Sequence, residues 1–265
     1  MYDLAALESA LSGTIFAGKL HFSAVTESTN TDAMSAGRYG APHGSVYFAD
    51  EQTAGRGRGD HSWHSLAGLG LYASVLLRPA MLVADLPMVP LAAGIAAAGA
   101  IGLAAGLNVD LRWPNDLLIG RRKTGGILVE SKTESGEVGF VVVGIGINVH
   151  QREFASDLST PATSLDLETG RAISRQQLLI ALLESLQRET SALHDRSVVA
   201  AIPARVAQIS TWLWNRRVEV HGPQACVGVT RGLDANGFLL IQTDDGIATV
   251  QTGGIREAET GIEGR

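Results

Sequence analysis

One cysteine, Cys226, stands among 265 residues. That excludes an internal disulfide and any cysteine-based zinc site, and it fits a reducing, cytoplasmic home. Basic residues are outnumbered, with 21 Lys and Arg against 27 Asp and Glu and a formal net charge of −6. The broad positive surface that general nucleic-acid binding needs is therefore missing, and any anion site must be local. The opening stretch MYDLAALESALSG places two acids before any base and has no long apolar run, so it is not a secretory signal. The usual nucleotide fingerprints are also missing: there is no GxxxxGK[ST], and no strand–GxGxxG–helix. No GxSxG elbow announces a nucleophilic serine. The seven histidines show no metal-ligand spacing beyond His61 and His64, which lack a third partner.

Charge is missing altogether between Leu86 and Val109, a run long enough to cross a bilayer. It is mostly Ala and Gly, opens with Pro87 and Pro90, and has no flanking Lys/Arg cluster. A buried helix rich in small residues is the expected structure, and no membrane partner is expected.

What is present suits a globular chain of one large domain, or of one domain plus a small one; 45% of the residues are hydrophobic. DLAALESALS has helical periodicity, and KLHFSAVTEST reads as a strand entering a turn. STNTDAMSAG predicts a helix with Ser28 or Thr29 as N-cap and Gly37 as its stop. SVYFAD (45–50) and GLYASVLLRP (70–79) predict strands. VDLRWPNDLLIGRRKTGGILVESK predicts short strands around turns at Pro114–Asn115 and Gly120. GEVGFVVVGIGINV (136–149) is a continuous apolar run suited to a buried central strand. Residues 174–194 predict a helix capped by Ser174, and 197–209 a further one. After Trp214, five short alternating runs separated by Gly-Pro, Asn-Gly and Asp-Gly turns predict a small barrel. The expected organisation is 1–212 for the main domain, 213–258 for the barrel and 259–265 for a tail. The tail's IEGR resembles a protease-recognition remnant and is set aside.

Three constellations carry chemistry. In EQTAGRGRGDHSW (51–63), the glycines at 55, 57 and 59 remove the Cβ atoms that would keep an anion from backbone N–H groups, and Arg56 or Arg58 could fold over a phosphate or carboxylate. The alternative is a flexible surface loop with solvated arginines. In RWPNDLLIGRRKTGGILVE (112–130), Trp113 and Pro114 form a rigid corner that would aim Asn115 and Asp116. Lys123, followed by Gly125–Gly126, would place a compact positive charge at an anion. An ordinary turn and a solvated lysine are the competing readings. In GIGINVH (144–150), Asn148 ends the apolar strand, where its amide could read a purine edge or cap backbone.

Taken in order, ESTN, EQTAGRGRGDHSW, LRWPNDLLIGRRKTGGILVE and VGIGINV resemble the biotin protein ligases (biotin–[acetyl-CoA-carboxylase] ligases). The resemblance extends through the C-terminal barrel. It implies an α+β fold: a mixed sheet flanked by helices, related to class II aminoacyl-tRNA synthetases and lipoate ligases, with an SH3-like C-terminal barrel. It implies two steps, in which biotin and MgATP form biotinyl-5′-AMP and a lysine of a biotin carboxyl carrier protein then displaces AMP. It implies that Arg58 and Lys123 bridge the biotin carboxylate and the phosphate. The biotin site implied is Ser28, Thr29, Asn30, Gln52, Gly55, Arg56, Arg58, Lys123 and Gly126. The ATP site implied is Arg56, Trp63, Asn115, Asp116 and Asn148, with Asp116 orienting its neighbours or assisting Mg²⁺. No protein-bound metal or prosthetic group is implied.

The chain departs from the family pattern at GDHSW, where a glycine and basic residues are frequent, at Arg112 (commonly Lys) and at Thr53 (frequently Gln). Only about 20 residues precede the first core strand, too few for a DNA-binding domain, so a monofunctional ligase is expected. A homodimer through an exposed strand edge is compatible with this pattern. The alternatives are a lipoate- or octanoate-transferring relative of the same fold and a noncatalytic module that binds a nucleotide or biotin-like ligand. Octanoyl transfer uses a cysteine, and Cys226 lies in the barrel, far in sequence from the motif loops.

Overall fold

The computed structural model describes residues 2–258 apart from 60 and 135; the tail with IEGR lies outside the described residues. The main domain is built from α1 (Leu4–Ala10), β1 (Leu20–Thr26), α2 (Thr29–Arg38), β2 (Ser45–Gln52), β3 (Gly70–Leu77), α3 (Met88–Ala105), β4 (Asp110–Arg112), β5 (Asp116–Ile119), β6 (Arg122–Glu134), β7 (Glu137–Asn148), α4 (Leu165–Thr169), α5 (Arg175–Thr190) and α6 (Arg196–Ile209). Its seven strands lie in the order β1-β2-β3-β7-β6-β5-β4. β1 and β2 run parallel, and the other neighbours are antiparallel.

β7 shows how one apolar run serves two faces. Side chains alternate across a strand. Val141, Val143, Ile145, Ile147 and Val149 join the main core with α3 and α5. Phe140 and Val142 face the other way and pack with Ala33 of α2 and Leu76 of β3. The remaining residues on that second face are Gly144, Gly146 and Asn148. Where the apolar side chains stop, the sheet surface is left bare, and that bare floor positions the site.

α3 fulfils the expectation for the uncharged stretch. Although long and apolar enough to cross a membrane, it lies largely within the core. Its small residues allow close approach: a Cβ on Gly94 would meet Leu111 Cδ1 at 2.6 Å.

Some expectations need correction. Gly37 does not stop α2, which continues to Arg38. Gly37 packs against the sheet instead, where a Cβ would lie 2.6 Å from the Phe140 ring. β6 is 13 residues long rather than a short strand. α4 was not anticipated, although Ser164 Oγ accepts from Leu167 N and Gly170 closes the helix at φ 69°. α5 ends at Thr190, short of 194.

The second sheet begins at Trp214: β8 (Trp214–His221), β9 (Cys226–Leu233), β10 (Leu239–Thr243), β11 (Gly246–Val250) and β12 (Gly254–Glu257). It is antiparallel, in the order β11-β10-β9-β8-β12. Gly222, Gly237 and Gly246 at its turns all have positive φ, as the predicted turn dipeptides require.

Candidate active site

A cavity of about 740 Å³ lies over the bare floor. That volume is in the range of small-ligand sites. Its lining includes Ser28, Thr29, Asn30, Gln52, Arg56 and Arg58, and also Trp63, Asn115, Asp116, Lys123, Gly126 and Asn148. Thus almost every residue singled out from the sequence faces one space. Gly55 is the exception, because it serves the loop itself. A Cβ there would sit 2.4 Å from Trp63 O, where the chain folds back with Trp63 N donating to Gly55 O at 2.8 Å. Gly57 N donates to His61 O at 2.7 Å, so this amide is spent on the loop's own hairpin and is not free for an anion.

The floor is set by close contacts. A Cβ at Gly144 would lie 1.9 Å from Asn30 Oδ1, and one at Gly146 would lie 2.5 Å from Trp63 Nε1. Only glycine lets Asn30 and the Trp63 ring rest on the backbone. Trp63 Nε1 is buried and has no hydrogen-bond partner.

At the α2 end, Thr29 N donates to Gln52 Oε1 at 2.9 Å and Gln52 Nε2 donates to Ser65 Oγ at 2.7 Å. Thr29 Oγ1 lies 2.7 Å from Ser74 Oγ, which donates to Asn30 Oδ1 at 2.6 Å. Ser28 is the N-cap by position but makes no side-chain capping bond, leaving its hydroxyl uncommitted to the helix.

The cations occupy the far wall. Lys123 Nζ lies 2.5 Å from Asp116 Oδ1 and 5.6 Å from the centre of the Trp63 ring. Asp116 Oδ2 accepts from Arg112 Nη2 at 2.6 Å and from Arg112 Nε at 3.1 Å. Burial alone would raise the Asp116 pKa, but the charges and hydrogen bonds of Lys123 and Arg112 outweigh it and hold the carboxyl below its ordinary value. Arg58 reaches across to the barrel, where Nη1 donates to Gly253 O at 2.7 Å and Nη2 to Thr252 Oγ1 at 3.2 Å. Burial lowers the Arg58 pKa, opposed by the Asp116 charge. Arg56 turns the opposite way, onto Glu130. The two loop arginines therefore point to different partners.

The two asparagines already serve the backbone. Asn115 Nδ2 donates to Ile127 O at 2.9 Å, and Asn148 Nδ2 to Thr163 O at 3.1 Å. Each amide keeps a second N–H for another acceptor. Sequence reasoning gave no role to Ser74, Glu130, Thr252 or Gly253. The first two carried a signal: Ser74 is a polar residue inside the apolar strand GLYASVLL, and Glu130 directly follows the apolar run GILV within β6. The barrel contacts left none, because they depend on how the two sheets meet.

The biotin/lipoate A/B protein ligase family matches residues 22–148. The bifunctional ligase/repressor BirA of Bacillus spizizenii is 35% identical over 236 residues, covering 87% of this chain and 71% of that protein. The biotin–[acetyl-CoA-carboxylase] ligase of Mycobacterium tuberculosis is 32% identical over 243 residues, 88% of this chain and 86% of its own. Among solved structures, the biotin protein ligase from Aquifex aeolicus in complex with biotin and ATP superposes with a TM-score of 0.77 at 28% identity. It covers 91% of this chain and 100% of that one. The chain belongs to the biotin/lipoate A/B protein ligase family.

Proposed function

We propose that this chain is a biotin–[acetyl-CoA-carboxylase] ligase. Biotin's carboxylate attacks the α-phosphorus of ATP, a phosphoanhydride bond breaks and pyrophosphate leaves. The ε-amine of a carrier lysine then attacks the acyl carbon of biotinyl-5′-AMP, the amide forms, AMP departs and the amine gives up its proton. The observation that carries this reading is one cavity over a glycine floor with both Lys123 and Arg58 in its lining, in a chain with family relatives over most of its length. The first step brings two anions together, so fixed positive groups must offset their repulsion.

Lys123 and Arg58 supply that charge at the carboxylate and phosphate. Thr29, Asn30, Gln52 and Ser28 present donors and acceptors for the ureido ring beside Gly126. Trp63 offers a π-face to the adenine, and Asn115 and Asn148 offer their remaining amide protons. Asp116 orients Lys123. Magnesium enters as part of MgATP, the substrate. The rest of the effect comes from positioning and from keeping water off the acyl-adenylate.

The carrier is the biotin carboxyl carrier protein, and the setting is the cytoplasm. A homodimer would pair along an open sheet edge; β1 and the outer side of β6 beyond Ile127 have no strand neighbour among the described residues. ATP–pyrophosphate exchange tests the reading, with biotin, lipoate and octanoate in parallel. Biotin-dependent exchange is expected; exchange with lipoate or octanoate alone would shift the substrate, and biotin binding without exchange would leave a noncatalytic module.

A further inference from the structure

Glu130 is the carboxylate on which the loop closes. It lies on β6 on the same face as Gly126, opposite Val142. Its Oε1 accepts from Arg56 Nη1 at 3.1 Å and its Oε2 from Arg56 Nη2 at 2.6 Å, a two-armed pair. Oε2 also accepts from Asn30 Nδ2 at 2.9 Å. From Asn30 the contacts run through Ser74, Thr29 and Gln52 to Ser65, whose Oγ donates to Trp63 O at 3.2 Å. The run leaves the glycine-arginine loop at Arg56 and re-enters it at Trp63. Every member between the loop's two ends is neutral except Glu130. The Thr29 hydroxyl has one proton for two acceptors, Ser74 Oγ at 2.7 Å and Gln52 Oε1 at 3.1 Å, and the Thr29 N–H covers Gln52 in either case.

We propose that Glu130 is a positioning residue that clasps the loop through Arg56 and, through Asn30, locks the polar groups assigned to the ureido ring. It is not among the residues that line the cavity. The assignment of those groups rests on the biotin ligase reading, but the clasp itself does not. Arg56 is held on Glu130 as the clasp, and anion binding falls to Arg58 and Lys123. Loop opening, and with it biotin entry and exit, requires the pair to separate.

Glu130→Gln keeps the shape and removes the charge that holds both arms of Arg56. In the ligand-free full-length chain, trypsin cleavage after Arg56 and Arg58 reports loop opening directly. Cleavage is expected to rise about tenfold or more in Glu130→Gln, with Glu130→Asp in between. Direct binding of labelled biotin is expected to show dissociation faster by about tenfold, and KM for biotin raised alike with kcat within about threefold. The double variant Arg56→Gln/Glu130→Gln is expected to be no worse than the worse single variant, as for partners in one contact. Equal cleavage rates in wild type and Glu130→Gln would overturn the clasp whatever the substrate. Tighter biotin binding by Glu130→Gln would overturn it as well, since Glu130 would then be competing with ligand for Arg56. A chain that shows the proteolytic effect but never binds biotin would sink the substrate assignment and leave the clasp standing.

Discussion

The two halves of the cavity are held in different ways. Lys123, Asp116 and Arg112 project from the neighbouring strands β6, β5 and β4, with Asp116 opposite both Arg112 and Gly126. Their geometry is fixed by the sheet, and their charges satisfy one another at 2.5–3.1 Å. The glycine-arginine loop has a short hairpin of its own, and its arginines are tied to distant elements, Arg56 to β6 and Arg58 to the barrel. The strand-built half is preformed, while the loop half stays closed through a few side-chain contacts. Catalysis by charge placement needs the first to be rigid; entry of a substrate into a covered site needs the second to give way.

The largest effect is expected in the strand-built half. Lys123→Ala should lower the single-turnover rate of biotinyl-AMP formation by about a thousandfold, as for loss of one charge-stabilising group, a much larger loss than any in fold stability, since Arg112 still pairs Asp116. Near-normal rates would remove Lys123 from the mechanism. Next comes Gly144→Ala, whose methyl would overlap Asn30 Oδ1. Displacing Asn30 should weaken biotin binding about a hundredfold, roughly 3 kcal/mol, measurable by titration calorimetry. An unchanged affinity would show that the floor is not the ureido platform.

Asp116→Asn should cost about 2 kcal/mol of stability by denaturant unfolding, because two cations lose a shared, half-buried partner. The same pair sets a pH dependence. Because the folded carboxyl titrates below its ordinary value, its contribution is complete above that value and is lost as pH falls through the folded one. Wild type should therefore lose this stability below about pH 4, and Asp116→Asn should flatten that part of the profile. The smallest effect is expected in the loop half. Thr252→Ala removes the 3.2 Å bond from Arg58 and should raise KM for ATP or biotin only by a few fold, about 1 kcal/mol. A larger effect than that of Lys123→Ala would reverse the comparison.

How much of this was legible in the sequence follows the same division. The apolar run at 136–149 identified the central strand, and the Gly-Pro, Asn-Gly and Asp-Gly dipeptides marked the barrel turns, because periodicity and turn chemistry are local. Lys123 and Asp116 could be singled out because the corner and the glycines around them are local too, whereas Trp63 came only with the family resemblance. The partners of Arg56 and Arg58 could not be read. Glu130 and Gly253 are 74 and 195 residues away from them, and only the assembled sheets bring them within reach. Gly37 misled for a related reason: a glycine near a helix end looks like a terminator, while here it answers to Phe140 across the sheet.

Trp113 ties the WPND corner to the barrel by donating its Nε1–H to Gly237 O at 3.0 Å. A truncation that removed the barrel would strand that buried indole donor and, at the same stroke, take away both acceptors of Arg58. A minimal ligase made by cutting near residue 213 would thus be impaired at its chemistry rather than merely shortened, and swapping in a foreign barrel would succeed only if it returned a carbonyl at each of these two places.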